Sequence, residues 1–157
     1  MANRNLVWLL LRIENRRMSS VATVRVLVVE DFREFRQLIC LTLGKRRDLQ
    51  VIGEVADGLE AVRNAAELRP DLILMDIGLP SLNGIEAARQ ILRVVPQAKI
   101  IFVSQESDPG LVQGAMSVGA RGYIQKMKAR TELLAGIDEV IAERRFVRTS
   151  EVPSVRV

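Results

Sequence analysis

The hydrophobic period of this chain changes in the same way five times, and this repetition restricts the fold more than any other feature. A β-branched run of strand length, such as VRVLVV at Val24–Val29, is followed each time by a segment with apolar residues at helical spacing. Five strands alternating with five helices predict a doubly wound α/β domain, in which helices cover both faces of a parallel sheet. The expected strand order is 2-1-3-4-5.

The predicted elements end at residues that commonly stop helices. Gly44, Pro70, Pro96 and Gly119 follow four of the helical segments. The strands after the first are predicted at QVIGEV, DLILM, KIIFV and RGYIQ, and the helices at 32–43, 59–68, 85–95, 110–118 and 131–143.

Length and charge divide the chain into one domain and two ends. A chain of 157 residues with 48% apolar content is enough for a single core. We therefore predict an N-terminal extension at 1–23, the domain at 24–143 and a basic tail at 144–157. The net charge of +4 comes from the ends, which carry +3 each, while the middle carries −2. This distribution does not indicate a DNA-binding surface on the domain, although a basic tail could touch DNA.

The N-terminal extension contains the apolar run LVWLLL, which Arg12 interrupts. A helix that spans a bilayer needs about 20 apolar residues, so this run predicts neither a membrane anchor nor a secretion signal. Two alternatives stay open for the extension. Translation starts at Met18, which leads directly into the first strand, or the extension forms an extra helix that covers the domain.

The residues that are missing exclude several kinds of chemistry. The sequence has no His, which excludes His-based nucleophilic catalysis and zinc sites that use His ligands. Its single Cys, Cys40, cannot form an internal disulfide and lies in an apolar helical pattern, where we interpret it as a small buried hydrophobic residue. This cysteine usage predicts a cytoplasmic protein.

Polar residues follow four of the five predicted strands. In open parallel sheets, functional groups lie beyond the carboxyl ends of the strands. Glu30 and Asp31 follow strand 1, Asp76 ends the apolar run of strand 3 in LMDIGLPSLNG, Ser104 follows strand 4 and Lys126 follows strand 5. Any one of them could simply cap a helix or end a strand. Together, at one edge of the sheet, they predict a site.

The residue types at this edge indicate phosphoryl chemistry. Three carboxylates that converge repel one another and need a cation between them. Oxygen ligands without His or Cys favour Mg²⁺. With the carboxylate charge offset, Asp76 can attack a phosphoryl group, while Lys126 and the Ser104 hydroxyl suit phosphate oxygens.

Four stretches, VLVVED, LILMDIGLPSLNG, IIFVS and GYIQK, resemble the receiver domain of two-component response regulators over residues 24–143. The resemblance implies a flavodoxin-like fold and phosphorylation of Asp76 by a sensor histidine kinase, without turnover of a small-molecule substrate. It implies that Glu30, Asp31, Asp76 and the main-chain carbonyl of Gly78 form the Mg²⁺ site, with Asp31 as a direct ligand. Lys126 matches the lysine that contacts the phosphate.

The resemblance also assigns a switch. Ser104 and Tyr123 match a pair in which the hydroxyl moves toward the phosphoryl group and the aromatic ring turns inward. The surface formed by helix 4, strand 5 and helix 5 then changes. Gly78, Gln105 and Glu106 match positions that modulate access to Asp76.

The stretches VIGEVADGLEAV, GARGYIQK and ELLAGIDEVIAERRFV are similar to LuxR-type regulators, which continue into a DNA-binding helix-turn-helix. The chain stops at Val157, so we expect DNA binding only through an output domain outside it. A single-domain regulator and the receiver part of a longer protein both stay open, and dimerisation is an expectation for the family.

Two other functions are alternatives to a phosphorylated receiver. One is a pseudo-receiver, an interaction module that works without phosphorylation. The other is a Mg²⁺ phosphatase, which needs a second aspartate two residues after the nucleophile, where this chain has Gly78.

Overall fold

A six-stranded parallel sheet organises residues 22–150, the part of the chain that this computed structural model describes. Its order is β2-β1-β3-β4-β5-β6, so the predicted order of the first five strands is confirmed. The predictions for residues 1–21 and 151–157 lie outside the described part. The strands are β1 (Val24–Val29), β2 (Leu49–Val55), β3 (Leu72–Met75), β4 (Lys99–Ser104), β5 (Gly122–Gln125) and β6 (Phe146–Arg148).

Five helices connect the strands, and each lies within two residues of its predicted bounds. Three of them begin at a side chain that accepts hydrogen bonds from main-chain N–H groups of the first turn, namely Asp57, Asn83 and Asp108. None of the helices between residues 22 and 150 has the length and apolar character needed to cross a membrane. The helices are α1 (Arg33–Leu43), α2 (Gly58–Leu68), α3 (Gly84–Val94), α4 (Pro109–Ser117) and α5 (Ala129–Ile141).

The inner strands are mostly apolar on both faces, because each face packs against helices. In β1, Val26 and Val28 face α1 and α5, while Leu27 and Val29 face α2, α3 and α4. The carboxyl ends of the strands all point to one edge, since every strand pair is parallel. This is the doubly wound arrangement that the alternating pattern predicts and the flavodoxin-like fold that the resemblance implies.

The sixth strand was not predicted, because residues 146–148 were assigned to the basic tail. Strand β6 pairs with β5 in parallel, with Phe146 opposite Gly122. The buried Phe146 side chain packs against α5 at Gly136, where an added Cβ would lie 2.8 Å from a ring carbon of Phe146. Three residues are too few to show a strand period, and their pairing depends on the free edge of β5. Strand β5 is therefore covered at the edge that the resemblance assigns to the switch surface.

Candidate functional site

Three carboxylates meet at the carboxyl edge of the sheet because β1 and β3 are neighbours, with Val29 paired to Met75. The next residues along each strand are Glu30, Asp31 and Asp76. Each of the three offers an oxygen, and these oxygens all lie within 4.8 Å of one another. Glu30 is 1% exposed and Asp76 is 8% exposed, whereas Asp31 faces solvent. The predicted acidic cluster is thus formed by two buried carboxylates and one exposed carboxylate.

Lys126, which follows β5, supplies the positive charge of the cluster. Its Nζ lies 2.8 Å from Glu30 Oε2, 3.0 Å from Asp76 Oδ2 and 4.7 Å from the ring centre of Phe35. Three carboxylates facing one ammonium leave an excess of negative charge at the site.

Burial and neighbouring charges shift the pKa values of Glu30 and Lys126. Burial raises the pKa of Glu30, and the ammonium of Lys126 offsets part of that rise. Burial acts to lower the pKa of Lys126, but its contacts with Glu30 and Asp76 outweigh burial and raise that pKa. The contacts therefore favour the charged form of Lys126, and the ammonium nearby favours the carboxylate form of Glu30 against the effect of burial.

One oxygen of the cluster has unused capacity as an acceptor. Glu30 Oε1 accepts a hydrogen bond from the Phe32 N–H at 3.0 Å. Oε2 is buried and contacts Lys126 at ion-pair distance, but outside hydrogen-bond geometry, so it has no hydrogen bond among the described residues. A buried carboxylate oxygen without a hydrogen bond, in a set of oxygen donors alone, fits a hard cation such as Mg²⁺.

The backbone holds Asp76 in place from both sides. Its N–H donates to the Val29 carbonyl at 3.0 Å, and its Oδ1 accepts from the Ile77 N–H at 2.7 Å. The loop then folds back, and the Gly84 N–H donates to the Ile77 carbonyl at 2.7 Å. An added Cβ at Gly84 would lie 2.0 Å from the Asp76 carbonyl oxygen, so only glycine permits this approach.

Ser104 and Tyr123, the predicted switch pair, both contact the main chain of Glu106. Ser104 Oγ accepts from the Glu106 N–H at 3.3 Å, and the Tyr123 hydroxyl donates to the Glu106 carbonyl at 2.9 Å. The Tyr123 ring is fully buried, and burial raises the pKa of its hydroxyl. The loop after β4 therefore connects the two residues through the backbone of Glu106.

A cavity of about 480 Å³ opens above these groups. Seven predicted site residues line it, whereas Glu30 and Tyr123 are buried and do not. The seven are Asp31, Asp76, Gly78, Ser104, Gln105, Glu106 and Lys126.

A larger cavity, of about 670 Å³, lies along α1 beside Cys40, Leu41 and Glu54, and it contains no predicted site residue. Cavity volume therefore does not identify the functional site. Cys40 is half-buried, and burial raises its pKa to about 11, as expected for an unreactive thiol.

Two residues around the site were missed by sequence reasoning. Arg36 Nη1 donates to the Glu30 carbonyl at 2.8 Å, a contact that no short motif predicts. Gln125, a polar residue at the end of the buried strand β5, donates to the Gln105 carbonyl at 3.3 Å and accepts from the Ser150 N–H at 2.8 Å. A polar residue in a buried apolar strand was the available signal for Gln125.

A flavodoxin-like sheet with an acidic cluster and a lysine at its carboxyl edge defines the receiver class of signalling domains. Residues 26–138 match the family model of the response regulator receiver domain, and this chain belongs to that family. It is thus a receiver domain of two-component systems, as its sequence motifs indicate.

Individual relatives agree with the resemblance to LuxR-type regulators. Response regulator GacA of Pseudomonas viridiflava is 35% identical over 124 residues, which cover 79% of this chain and 58% of that protein. Transcriptional regulatory protein LiaR of Bacillus subtilis is 38% identical over 114 residues, covering 73% of this chain and 54% of that protein. The chain therefore spans little more than half the length of these curated relatives.

A solved structure supports the same assignment. The crystal structure of a LuxR-family two-component response regulator from Aurantimonas sp. SI85-9A1 matches with a TM-score of 0.76 and 32% identity. The match covers 79% of this chain and 89% of that chain.

Proposed function

We propose that this chain is a phosphorylation-dependent switch in which Asp76 accepts a phosphoryl group from a sensor histidine kinase. The observation that carries the proposal is the buried carboxylate of Asp76, which shares Lys126 with Glu30 at the base of an open cavity. The chain has no His of its own, so a phosphohistidine donor must come from a partner.

The proposed Mg²⁺ ligands are Glu30, Asp31, Asp76 and the main-chain carbonyl of Gly78. The ion would supply charge neutralisation at the carboxylates when bound. The excess negative charge of the cluster and the Glu30 oxygen without a hydrogen bond support this assignment. The exposed Asp31 lies at the solvent side of the cluster, which agrees with its proposed role as a direct ligand.

In the proposed transfer, one carboxylate oxygen of Asp76 forms a bond to phosphorus while the phosphorus–nitrogen bond of the donor breaks. The product is an acyl phosphate, and the donor nitrogen keeps the electron pair. Lys126 already contacts Asp76 at 3.0 Å, so its ammonium can contact the new phosphoryl oxygens without crossing the cavity.

Ser104 is proposed to connect phosphorylation of Asp76 to a change at the protein surface. Its hydroxyl lines the cavity and now accepts from the Glu106 N–H. A phosphoryl oxygen offers the hydroxyl a charged acceptor, which forms the stronger hydrogen bond. Movement of Ser104 would shift Glu106, and with it the partner of the Tyr123 hydroxyl. The switch surface then consists of α4, β5 and α5, with β6 added at its edge.

Three residues at the mouth of the cavity are proposed to control access of water and phosphodonors. Gln105 and Glu106 are exposed, and an added Cβ at Gly78 would meet no atom within 4 Å. The path over Gly78 is therefore open, while Gln105 and Glu106 bring longer polar side chains to the same cavity.

The proposed setting is the cytoplasm, and the proposed direct partner is the kinase, with a second copy of the chain as a further partner. LiaR is by name a transcriptional regulatory protein. If this chain acts on DNA, we propose that it does so through an output domain, because residues 24–143 carry a net charge of −2.

The decisive experiment is the intact mass of the protein after treatment with acetyl phosphate and Mg²⁺. We expect the gain of one phosphoryl group in the wild type and none in Asp76→Ala. Asp57→Asn is the matched control, because it changes a carboxylate at the end of the neighbouring β2 while asparagine keeps the helix cap. No gain in the wild type, or an equal gain in Asp76→Ala, would contradict the proposal and favour an interaction module that works without phosphorylation.

A further inference from the structure

The side chain of Gln125 connects two segments that are far apart in the sequence. It is 9% exposed, and both of its polar atoms bind main-chain groups. Nε2 donates to the Gln105 carbonyl in the loop after β4, and Oε1 accepts from the Ser150 N–H just after β6. Both ends of one carboxamide are thus used, which fixes its orientation.

The first segment belongs to the candidate site. Gln105 lies between Ser104, whose hydroxyl lines the cavity, and Glu106, whose main chain contacts both switch residues. The position of the Gln105 carbonyl therefore follows the conformation of the loop. The side chain of Gln125 links the Gln105 carbonyl, on the β4 side of β5, to the Ser150 N–H on the β6 side.

The second segment is the short strand β6 at the edge of the sheet. All three of its residues pair with β5, and the Phe146 N–H donates to the Arg121 carbonyl at 3.1 Å. Phe146 is buried where Gly136 leaves room in α5, and Arg148 lies over its ring and pairs with Glu132 at 3.5 Å. The hydrogen bond from Ser150 to Gln125 adds to these contacts at the point where the chain leaves β6.

We propose that Gln125 is a positioning residue that couples the loop after β4 to β6, so that the loop controls how firmly β6 lies on β5. When Ser104 moves toward a phosphoryl group, the Gln105 carbonyl moves with it, the carboxamide follows, and the bond to Ser150 lengthens. Release of β6 exposes main-chain groups of β5 at the edge of the switch surface. The phosphorylation half of this inference rests on the proposed function, whereas the link between Gln125 and β6 does not.

Two substitutions distinguish the effects of the two hydrogen bonds that the Gln125 carboxamide makes. Gln125→Leu keeps the volume and removes both hydrogen bonds, and the Gln105 and Ser150 groups it frees belong to exposed residues that water can reach. Gln125→Glu keeps an acceptor for Ser150 and loses the donor to Gln105. Gln50→Leu is the matched control, because it makes the same change at an exposed position of the opposite edge strand, β2.

The measurement is amide hydrogen exchange at Phe146 and Ser150 in the full 157-residue chain, with and without acetyl phosphate and Mg²⁺. Without phosphorylation, Gln125→Leu should speed exchange at both amides by about fivefold, the population change that one hydrogen bond of ordinary net strength produces. Gln50→Leu should match the wild type, while Gln125→Glu, which keeps the acceptor for Ser150 but places a carboxylate near the Gln105 carbonyl, should serve as its own reference for the phosphorylated state. With phosphorylation, exchange should rise in the wild type and in Gln50→Leu but not in Gln125→Glu.

Three results would overturn the coupling. The first is exchange in unphosphorylated Gln125→Leu that matches the wild type at Phe146 and Ser150. The second is a fully phosphorylated wild type with unchanged exchange at both amides, and the third is an equal response in Gln125→Glu. A wild type that gains no phosphoryl mass would refute the proposed function instead, while the unphosphorylated comparison would still decide whether Gln125 holds β6.

Discussion

Replacing Lys126 by methionine tests the electrostatic account of the site most directly. The change keeps the apolar stem of the side chain and removes the ammonium that contacts Glu30 at 2.8 Å and Asp76 at 3.0 Å. The three side chains are 12%, 1% and 10% exposed, so water replaces little of the lost interaction. Two buried carboxylates would then face each other without a cation.

The size of the effect follows from this burial. A unit-charge contact near 3 Å is worth about 5 kcal/mol before desolvation at an effective dielectric constant of about 20. Removing one partner of a buried pair costs about 3–5 kcal/mol. Because solvent reaches the cluster at Asp31, we expect the lower limit, a loss of about 3 kcal/mol in the free energy of unfolding at pH 7 with EDTA. In a domain of this size the melting temperature should fall by about 10 °C.

The pH dependence has a definite sign. The pKa of Glu30 is already raised in the fold by burial, and loss of Lys126 raises it further. The folded state then binds the Glu30 proton more tightly than the unfolded state does. This contribution to stability is present below the unfolded pKa of Glu30 and is lost as the pH rises to its folded pKa. The deficit of K126M relative to the wild type should therefore be smaller at pH 5 than at pH 7.

Chemical denaturation at both pH values, with EDTA or with Mg²⁺, measures these effects. Mg²⁺ should restore more stability to K126M than it adds to the wild type, since the ammonium no longer competes for the carboxylates. Lys128→Met is the control, as the neighbouring lysine of the same 3-10 turn. If K126M is as stable as the wild type in EDTA at pH 7, or loses as much at pH 5 as at pH 7, the electrostatic account is refuted.

Three further predictions concern positions outside the ion pair. Gly84→Ala should abolish phosphoryl uptake by acetyl phosphate and lower the melting temperature, because the added Cβ would displace the backbone of Asp76, which lies 2.0 Å away. Cys40 should react slowly with iodoacetamide at pH 8 and progressively faster toward pH 11, because burial raises its pKa to about 11. Asp57→Ala should lower the melting temperature through loss of the α2 cap and of the hydrogen bond from Ser81.

Each of these predictions has a clear contrary result. Normal phosphorylation of Gly84→Ala would show that the loop after β3 can move without cost to the site. Alkylation of Cys40 at the rate of an unstructured thiol at pH 8 would contradict the burial argument. Asp57→Asn is the control for the cap, and equal losses of stability in Asp57→Asn and Asp57→Ala would show that the cap is not the cause.

The sequence by itself determined the layout of the sheet and most of the residues at its functional edge. Strand β1 is a continuous β-branched run of strand length, and helices such as α3 are long enough to repeat a helical pattern of burial. Asp76 could be identified because a carboxylate at the end of a buried apolar run is costly without partners. The parallel order then placed Glu30, Ser104 and Lys126 at the same edge, as the structure shows.

Contacts between segments that are distant in the sequence were decided only by the tertiary structure. Strand β6 has three residues and no period of its own, so its pairing depends on the edge that β5 offers and on the space that Gly136 leaves for Phe146. No sequence motif assigns a role to Gln125, which ends the predicted strand RGYIQ. Its two hydrogen bonds join residues 20 positions before it and 25 positions after it, and no local pattern encodes such distances. The sequence shows which buried polar groups need hydrogen-bond partners, whereas the tertiary structure determines which groups become those partners.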